Sequence, residues 1–300
     1  MANLQIIKNL ADTLGFNYIE NEPMCKHTTF KIGGNAELFV TVNDTAQIKA
    51  VVTACKENDI ELFILGKGSN LLISDSGMLG VVLTLDGEFK DISVKENKIK
   101  CGAGVNLTKL CNFALSESLS GLEFAYGIPG SVGGAAYMNA GAYGGEMKDV
   151  ITSVTHMTKD GEIVTLKADE LDFSYRHSVY KNTGDIILFV EFELKRDNAD
   201  SIKEKMEDFI NRRKSKQPLE YPSAGSVFKR PVGNFAGTLI EQCGLKGKTI
   251  GGAQVSEKHA GFIINIGDAT CADVLNLVKF VQDTVQTQTG YFLECEIIHI

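Results

Sequence analysis

The chain has 300 residues, 44% of them hydrophobic and 23% charged, with a formal net charge of −8. This is globular composition with material for more than one core, and length alone suggests about two domains. The acidic balance argues against wrapping nucleic acid, which needs a basic face, but leaves room for an anionic ligand in a locally positive pocket.

In chain order, Leu4, Ile7, Leu10, Ala11 and Leu14 recur at helical spacing and predict an opening helix. Lys8 and Asp12 interrupt the apolar pattern of residues 1–15, so this segment does not read as a signal peptide. A strand over Glu37–Val42, a helix with Ile48, Val51, Val52 and Cys55 on one face, and the apolar run Leu62–Leu65 form a β-α-β pattern. Leu71–Ser74 reads as a further short strand. From Val81 to Leu194 the pattern is mostly short strands: Val81–Leu85, Lys98–Cys101, Val150–Met157, Glu162–Leu166 and Ile186–Leu194. Asp160-Gly161 marks a hairpin turn, and a helix around Leu107–Ser116 interrupts the strands. Ser201–Arg213 predicts a helix that stops at Gln217-Pro218. The basic run Arg212-Arg213-Lys214-Ser215-Lys216 reads as its solvated end. Helix and strand then alternate up to a long helix at about Ala272–Thr287, and Tyr291–Ile300 is strand-like.

The seven cysteines form no C-x-x-C pair, which points to a reduced, cytoplasmic protein rather than a disulfide scaffold or zinc site. No apolar run approaches the ~18 residues of a membrane span. The five histidines are dispersed, so no metal site is expected. Gly247-Lys248-Thr249 resembles the end of a P-loop, but Gln242 stands where the leading glycine belongs.

Two glycine-rich loops carry the chemical signal. In Leu65-Gly66-Lys67-Gly68-Ser69-Asn70 the glycines let backbone N–H groups converge on an anion, with Ser69 and Asn70 adding short polar groups. A plain β-turn is the competing reading. The Rossmann fingerprint fails, because Leu71 replaces the third glycine and a strand follows instead of a helix. In the stretch Gly127–Glu146, seven of 20 residues are glycine, yet Ile128, Val132, Met138 and two tyrosines make it unlike a flexible linker. It reads as a cofactor cradle.

These loops, with Ser174-Tyr175-Arg176-His177-Ser178, Ala224-Gly225-Ser226-Val227-Phe228-Lys229 and Leu293-Glu294-Cys295-Glu296, resemble the UDP-N-acetylenolpyruvoylglucosamine reductase family. The motifs occur in the family's order and span about Thr29 to Glu296. The resemblance implies an α+β fold: two small FAD-binding α+β subdomains, residues 1–80 and 81–200, and a separate α/β substrate-binding domain, residues 201–289. Residues 290–300 would return as a strand to the second subdomain. The chain resembles the shorter members, which lack an inserted tyrosine-bearing segment.

The implied activity is NADPH-dependent reduction of UDP-N-acetylglucosamine enolpyruvate to UDP-N-acetylmuramate, in peptidoglycan precursor synthesis. FAD would be held non-covalently by Gly66, Lys67, Gly68, Ser69 and Asn70, and by Gly127, Pro129, Gly130, Ser131, Gly133, Gly134 and Asn139. The resemblance gives Arg176 the role of stabilising negative charge, Ser226 that of proton donor, and Glu296 that of holding and protonating the intermediate. Without it, Arg176 reads as a surface ion-pair partner, Ser226 as a turn residue and Glu296 as an outward-facing strand residue. Tyr143, Tyr175 and Lys216 fall in segments that line the family's substrate site. Arg230 stands where many members have Asn, and would serve as a cation toward the substrate. The implied partners are the UDP-sugar and NADPH, with no nucleic acid, membrane or obligate protein partner. An FAD-dependent alcohol or sugar oxidase on the same scaffold is the alternative. Many such oxidases tether FAD through a histidine in the glycine loop, and Gly66–Asn70 contains none.

Overall fold

The computed structural model describes residues 4–300. Residues 1–3, where the segment read for targeting and the expected first subdomain begin, lie outside the described residues. The chain divides into two compact units. One comprises the residues up to Glu20, Leu38–Lys67 and Leu79–Arg212; the other comprises Asn21–Glu37, Gly68–Met78 and Arg213–Ile300.

The first unit begins with the helix Gln5–Leu14, which buries Ile7 and Ala11. A sheet that lies mainly in this unit runs in the order Asn17–Pro23, Asn35–Val42, Met78–Leu85, Leu62–Leu65, and the last two strands are parallel. The strands of the expected β-α-β unit therefore flank Met78–Leu85 instead of adjoining each other. The helix between them, Thr45–Glu57, starts where the Asp44 carboxylate accepts from the Gln47 N–H at 2.8 Å. It buries Ile48, Val51, Val52 and Cys55, the apolar face legible in the sequence.

The second sheet of this unit is antiparallel, in the order Ile163–Lys167, Ile151–Met157, Ile186–Glu193, Lys98–Gly102, Ile92–Lys95. Its first hairpin turns at Asp160-Gly161, with Gly161 at φ 77°. The helix Leu107–Ser116 is capped by the Asn106 side chain, which accepts from the Thr108 N–H at 2.8 Å. One continuous apolar core, including Leu38, Ile48, Leu83, Phe89, Ile99 and Phe192, fills the unit.

The second unit contains an antiparallel sheet in the order Ser223–Ser226, Phe262–Asn265, Ala253–Val255, Thr249–Ile250. The helix Cys271–Thr289 buries Val274, Leu277, Val278, Val281 and Val285 in its core. Two devices satisfy the first turn of this helix. Thr270 and Asp273 form a capping box. The Asp75 carboxylate, from a distant loop, accepts from the N–H groups of Cys271 at 2.7 Å and Ala272 at 3.1 Å.

The C-terminal strand differs from the sequence expectation. Only Ile298–His299 is a strand, and it pairs in parallel with Leu71–Leu72 in the second unit, not with a sheet of residues 81–200. Residues 70–74 have polar backbone groups to satisfy, and the terminus supplies partners: Ile298 N–H donates to Asn70 C=O at 2.9 Å, Ile300 N–H to Leu72 C=O at 3.0 Å, and Ser74 N–H to Ile300 C=O at 2.6 Å.

Candidate active site

The Gly66–Asn70 loop passes from the first unit to the second between Lys67 and Gly68. A strand, Leu71–Leu72, follows it, as expected for a loop without the Rossmann geometry. Each of its glycines allows a close backbone approach. A Cβ on Gly66 would lie 2.6 Å from Ser131 Oγ. Gly68 has φ 57°, and a Cβ there would lie 2.3 Å from the His27 carbonyl oxygen.

Around Ser131 the second glycine-rich stretch becomes helical. Val132–Tyr137 is a short helix, absent from the sequence reading because glycine weakens helix propensity. Packing overrides that cost. Gly133 N–H donates to Ala103 C=O at 2.8 Å, and a Cβ on Gly133 would lie 2.8 Å from the Ala103 Cβ. Ser131 is buried and caps this helix by accepting from Gly134 N–H at 3.3 Å. Gly130 C=O accepts from Leu107 N–H at 3.0 Å; Gly127 has φ 84°, and Pro129 is exposed.

Asn139, expected against the cofactor, is fully buried and uses its amide inside the protein. Its Nδ2 donates to Glu146 Oε2 and to Ser174 C=O, both at 2.9 Å, and its Oδ1 accepts from Lys148 N–H at 2.9 Å. Both amide protons are thereby spent. Asn139 thus fastens together two loops, one of which carries Arg176. Burial raises the Glu146 carboxyl, but hydrogen bonds from Lys148 and Asn139 and the charges of Lys148 and Arg176 outweigh it and leave the pKa lowered.

Arg176 sits at the third position of a tight turn. Ser174 N–H donates to His177 C=O at 3.2 Å, and His177 N–H to Ser174 C=O at 3.1 Å. Arg176 has φ 56°, a conformation normally supplied at this position by Gly or Asn, and costing an arginine on the order of 1–3 kcal/mol. Its guanidinium lies 5.1 Å from the Tyr175 ring centroid, and Nη2 donates to Gly141 C=O at 3.4 Å. Gly141 opens a two-residue hairpin whose tip is Tyr143-Gly144, both at positive φ, as such loops prefer. The Tyr143 ring stacks on Phe209 at 4.7 Å and 4°.

In the second unit, the backbone segments that carry Ser226 and Glu296 run side by side. Ser223–Ser226 pairs with Phe262–Asn265 through an irregularity between Ser223 and Ser226. Gly225, at φ 79°, lies in that bulge and turns Ser226 back into register. Beyond it the chain runs against residues 294–296: Glu296 N–H donates to Val227 C=O at 2.7 Å, Phe228 bridges Cys295, and Lys229 N–H donates to Glu294 C=O at 2.8 Å. Glu294 and Glu296, equivalent by alternation, diverge. The exposed Glu294 forms an ion pair with Lys229, whereas Glu296 is half-buried with its backbone carbonyl accepting from Asn70 Nδ2 at 3.1 Å. Arg230 is exposed, with its guanidinium 4.0 Å from the Phe235 ring centroid. Lys216 is the exposed last residue of the helix Ala199–Lys216.

The profile of the UDP-N-acetylenolpyruvoylglucosamine reductase C-terminal domain matches residues 217–300, and an FAD binding domain profile matches residues 36–167. A UDP-N-acetylenolpyruvoylglucosamine reductase of Clostridium botulinum strain Hall is 50% identical over 281 residues, covering 94% of this chain and 92% of its own. One from Lachnoclostridium phytofermentans is 48% identical over 298 residues, covering 98% and 96%. The chain belongs to the UDP-N-acetylenolpyruvoylglucosamine reductase family. The crystal structure of the Thermus caldophilus reductase superimposes with a TM-score of 0.82 at 36% identity, covering 95% of this chain and 98% of that one.

This reductase family places the chain among FAD-dependent oxidoreductases. The loops fit such a cofactor. Glycines at 66 and 68 bring main chain where any side chain would collide, with the short hydroxyls of Ser69 and Ser131 beside them and no histidine in the loop to tether a flavin. Among the described residues, no group of three or more His, Cys, Asp or Glu is placed to hold a metal ion, and no helix is long and apolar enough to cross a membrane. All seven cysteines are free. Sequence reasoning missed two residues that organise the site: Asp75, which pins its loop to a helix start, and Glu146, which receives Asn139. Neither lies in a recognisable spacing.

Proposed function

We propose that this chain catalyses the NADPH-dependent reduction of UDP-N-acetylglucosamine enolpyruvate to UDP-N-acetylmuramate, in the cytoplasm, as a step in making peptidoglycan precursors. The observation that carries the reading is the pairing of the Ser226 and Glu296 segments through the 2.7 Å bond from Glu296 N–H to Val227 C=O. Two protic side chains on adjoining segments suit a reaction that must deliver a proton to carbon.

FAD would be held by the glycine loop Gly66–Asn70 and by the Gly127–Gly134 segment, and would supply hydride-transfer chemistry when bound. Addition of hydride to the terminal carbon of an enolpyruvyl ether leaves negative charge on the adjacent carbon and its carboxylate. Arg176 would stabilise that charge, since a planar guanidinium matches a carboxylate. Its turn, the Asn139 clamp and the Tyr175 ring hold the group before substrate arrives, which lowers the reorganisation needed in the transition state. Ser226 would give its hydroxyl proton to the carbon bearing the carboxylate, and Glu296 would assist as acid and hydrogen-bond partner. Lys216, Tyr143, Tyr175 and Arg230 are the proposed contacts of the nucleotide-sugar, with the two cations directed to its diphosphate.

The test is an anaerobic absorbance titration of the FAD-loaded protein. NADPH is expected to bleach the flavin bands, and the enolpyruvyl ether to restore them. Recovery with oxygen alone would support the oxidase reading, and absence of flavin bands after reconstitution would remove the basis of the proposal.

A further inference from the structure

Three stretches of the first unit converge near Ser131. Gly66 abuts Ser131 Oγ, and Asn106 forms a β-bridge with Ser131. Val132 N–H donates to Val105 C=O and Gly133 N–H to Ala103 C=O, each at 2.8 Å. Residues 66–67, 102–106 and 130–134 therefore meet at one place, and each contributes glycine or short polar groups.

Lysines gather around this junction. Lys90 extends to it and donates from Nζ to Gly104 C=O at 2.8 Å. Lys109, in the first turn of the helix Leu107–Ser116, donates to Lys90 C=O at 3.2 Å. Lys67 belongs to the glycine loop itself. A lysine in the first turn of a helix opposes the macrodipole and weakens that helix unless something else favours the charge there. Burial, then repulsion by Lys67 and also by Lys109, lowers the Lys90 ammonium below its ordinary value, against the opposing pull of Asp86. In a chain of net charge −8, three lysines facing one carboxylate, Asp86, leave a local positive excess that an anion would neutralise.

We infer that Lys67, Lys90 and Lys109 form a cationic rim that binds the diphosphate of FAD, beside the main-chain groups of the glycine loop. The inference rests on the flavoenzyme reading above and adds to it two residues, Lys90 and Lys109, that no sequence motif marks. Because a diphosphate is multiply charged and lysine supplies point-charge donors, the rim would govern affinity for the dinucleotide and leave the flavin ring untouched.

The test is flavin fluorescence titration of the full-length, flavin-stripped chain with FAD and, separately, with riboflavin, which lacks phosphate. Lys109→Ala and Lys67→Ala are each expected to weaken FAD about 10-fold, as for loss of one charge-assisted hydrogen bond, with riboflavin affinity unchanged. Lys67→Arg is expected to restore FAD affinity. Lys90→Met keeps the packed stem and is expected to act like the alanine variants. Equal loss of both flavins, or no loss of FAD, would overturn the rim. A wild-type chain that binds neither flavin would overturn the flavoenzyme reading, and the rim with it.

Discussion

In the first unit Arg176 is presented on a four-residue turn at φ 56°, held there by a hydrogen bond from a buried amide to Ser174 C=O. In the second, Ser226 and Glu296 stand on extended chains joined by ordinary backbone pairing. The two regions show different ways to fix a side chain. A strained turn places one group sharply but depends on a few clamps remote from it. Paired segments share the work among main-chain bonds, here Glu296 N–H to Val227 C=O and Lys229 N–H to Glu294 C=O, and leave the side chains free to vary.

The largest expected effects come from removing the proposed chemistry itself. Ser226→Ala and Glu296→Gln are each expected to lower kcat by roughly 10²- to 10⁴-fold, the range for loss of a general acid. Arg176→Ala is expected to lower it by roughly 10²- to 10³-fold, the range for loss of an electrostatic stabiliser. Steady-state kinetics measures both; unchanged kcat in any of the three variants would contradict its assigned role.

Next is the clamp. Asn139→Ala leaves Glu146 and the Lys148 N–H without the partner they have in the native protein, and releases one bond to Ser174 C=O. It is expected to destabilise the fold by about 2 kcal/mol and to reduce kcat without touching substrate. Asn70→Ala removes a single bond, to Glu296 C=O, and is expected to cost about 1 kcal/mol. Urea denaturation compares the two, and an Asn70 variant less stable than the Asn139 variant would reverse the contrast.

Each unit also shields a histidine, His156 buried and His259 half-buried, and pH sharpens the comparison. His156 hydrogen-bonds Tyr180 Oη at 3.1 Å through Nδ1, and His259 Nδ1 accepts from Gly261 N–H at 3.1 Å. Burial lowers both imidazoles, against Asp185 for His156 and chiefly against a backbone hydrogen bond for His259. With the folded pKa below the unfolded one, the unfolded chain binds a proton first as pH falls. The contribution is complete above about pH 6.5 and declines below it. Urea midpoints measured from pH 8 to pH 5 are expected to fall, and His156→Gln to flatten the fall.

The smallest effect is expected at Gly225. Its positive φ disfavours any side chain, yet the space around a Cβ is open. Gly225→Ala is therefore expected to cost only about 1 kcal/mol of stability, whereas Gly68→Ala, facing the His27 carbonyl oxygen at 2.3 Å, is expected to cost more.

Much of this was legible in the sequence, for reasons that differ by residue. The helix Thr45–Glu57 announced itself by period, and the hairpin at Gly161 by its Asp-Gly pair. The strand Asn17–Pro23 did not, because its polar sequence lacks clean alternation. The helix Val132–Tyr137 was hidden by glycines that serve packing against Ala103. Ser226, Arg176 and Glu296 are singled out by resemblance to a family; what the residues alone could not show is that the segments 226–229 and 294–296 pair across a long sequence gap. The internal partners of the Asn139 amide, Glu146 and Ser174, were not legible because tertiary structure brings them to it.

The second unit is stitched from three separated lengths of chain, with consequences for how the protein can be made. Thr29 Oγ1 bonds Ser223 C=O across 194 residues, Asn70 Nδ2 bonds Glu296 C=O across 226, and Asn265 Nδ2 bonds Phe30 C=O across 235. Residues 21–37 and 68–78 leave the ribosome early and can bond one another, as Gly34 N–H does to Ser74 C=O, but must wait for their C-terminal partners until the last part of the chain emerges. Loop closure over such distances costs only slightly more free energy than over shorter ones, but it slows the search. A fragment cut at residue 217 would contain the whole region that matches the reductase C-terminal profile, yet lack the Thr29 and Asn70 partners and the Asp75 cap. The sequence domain is therefore not the folding domain.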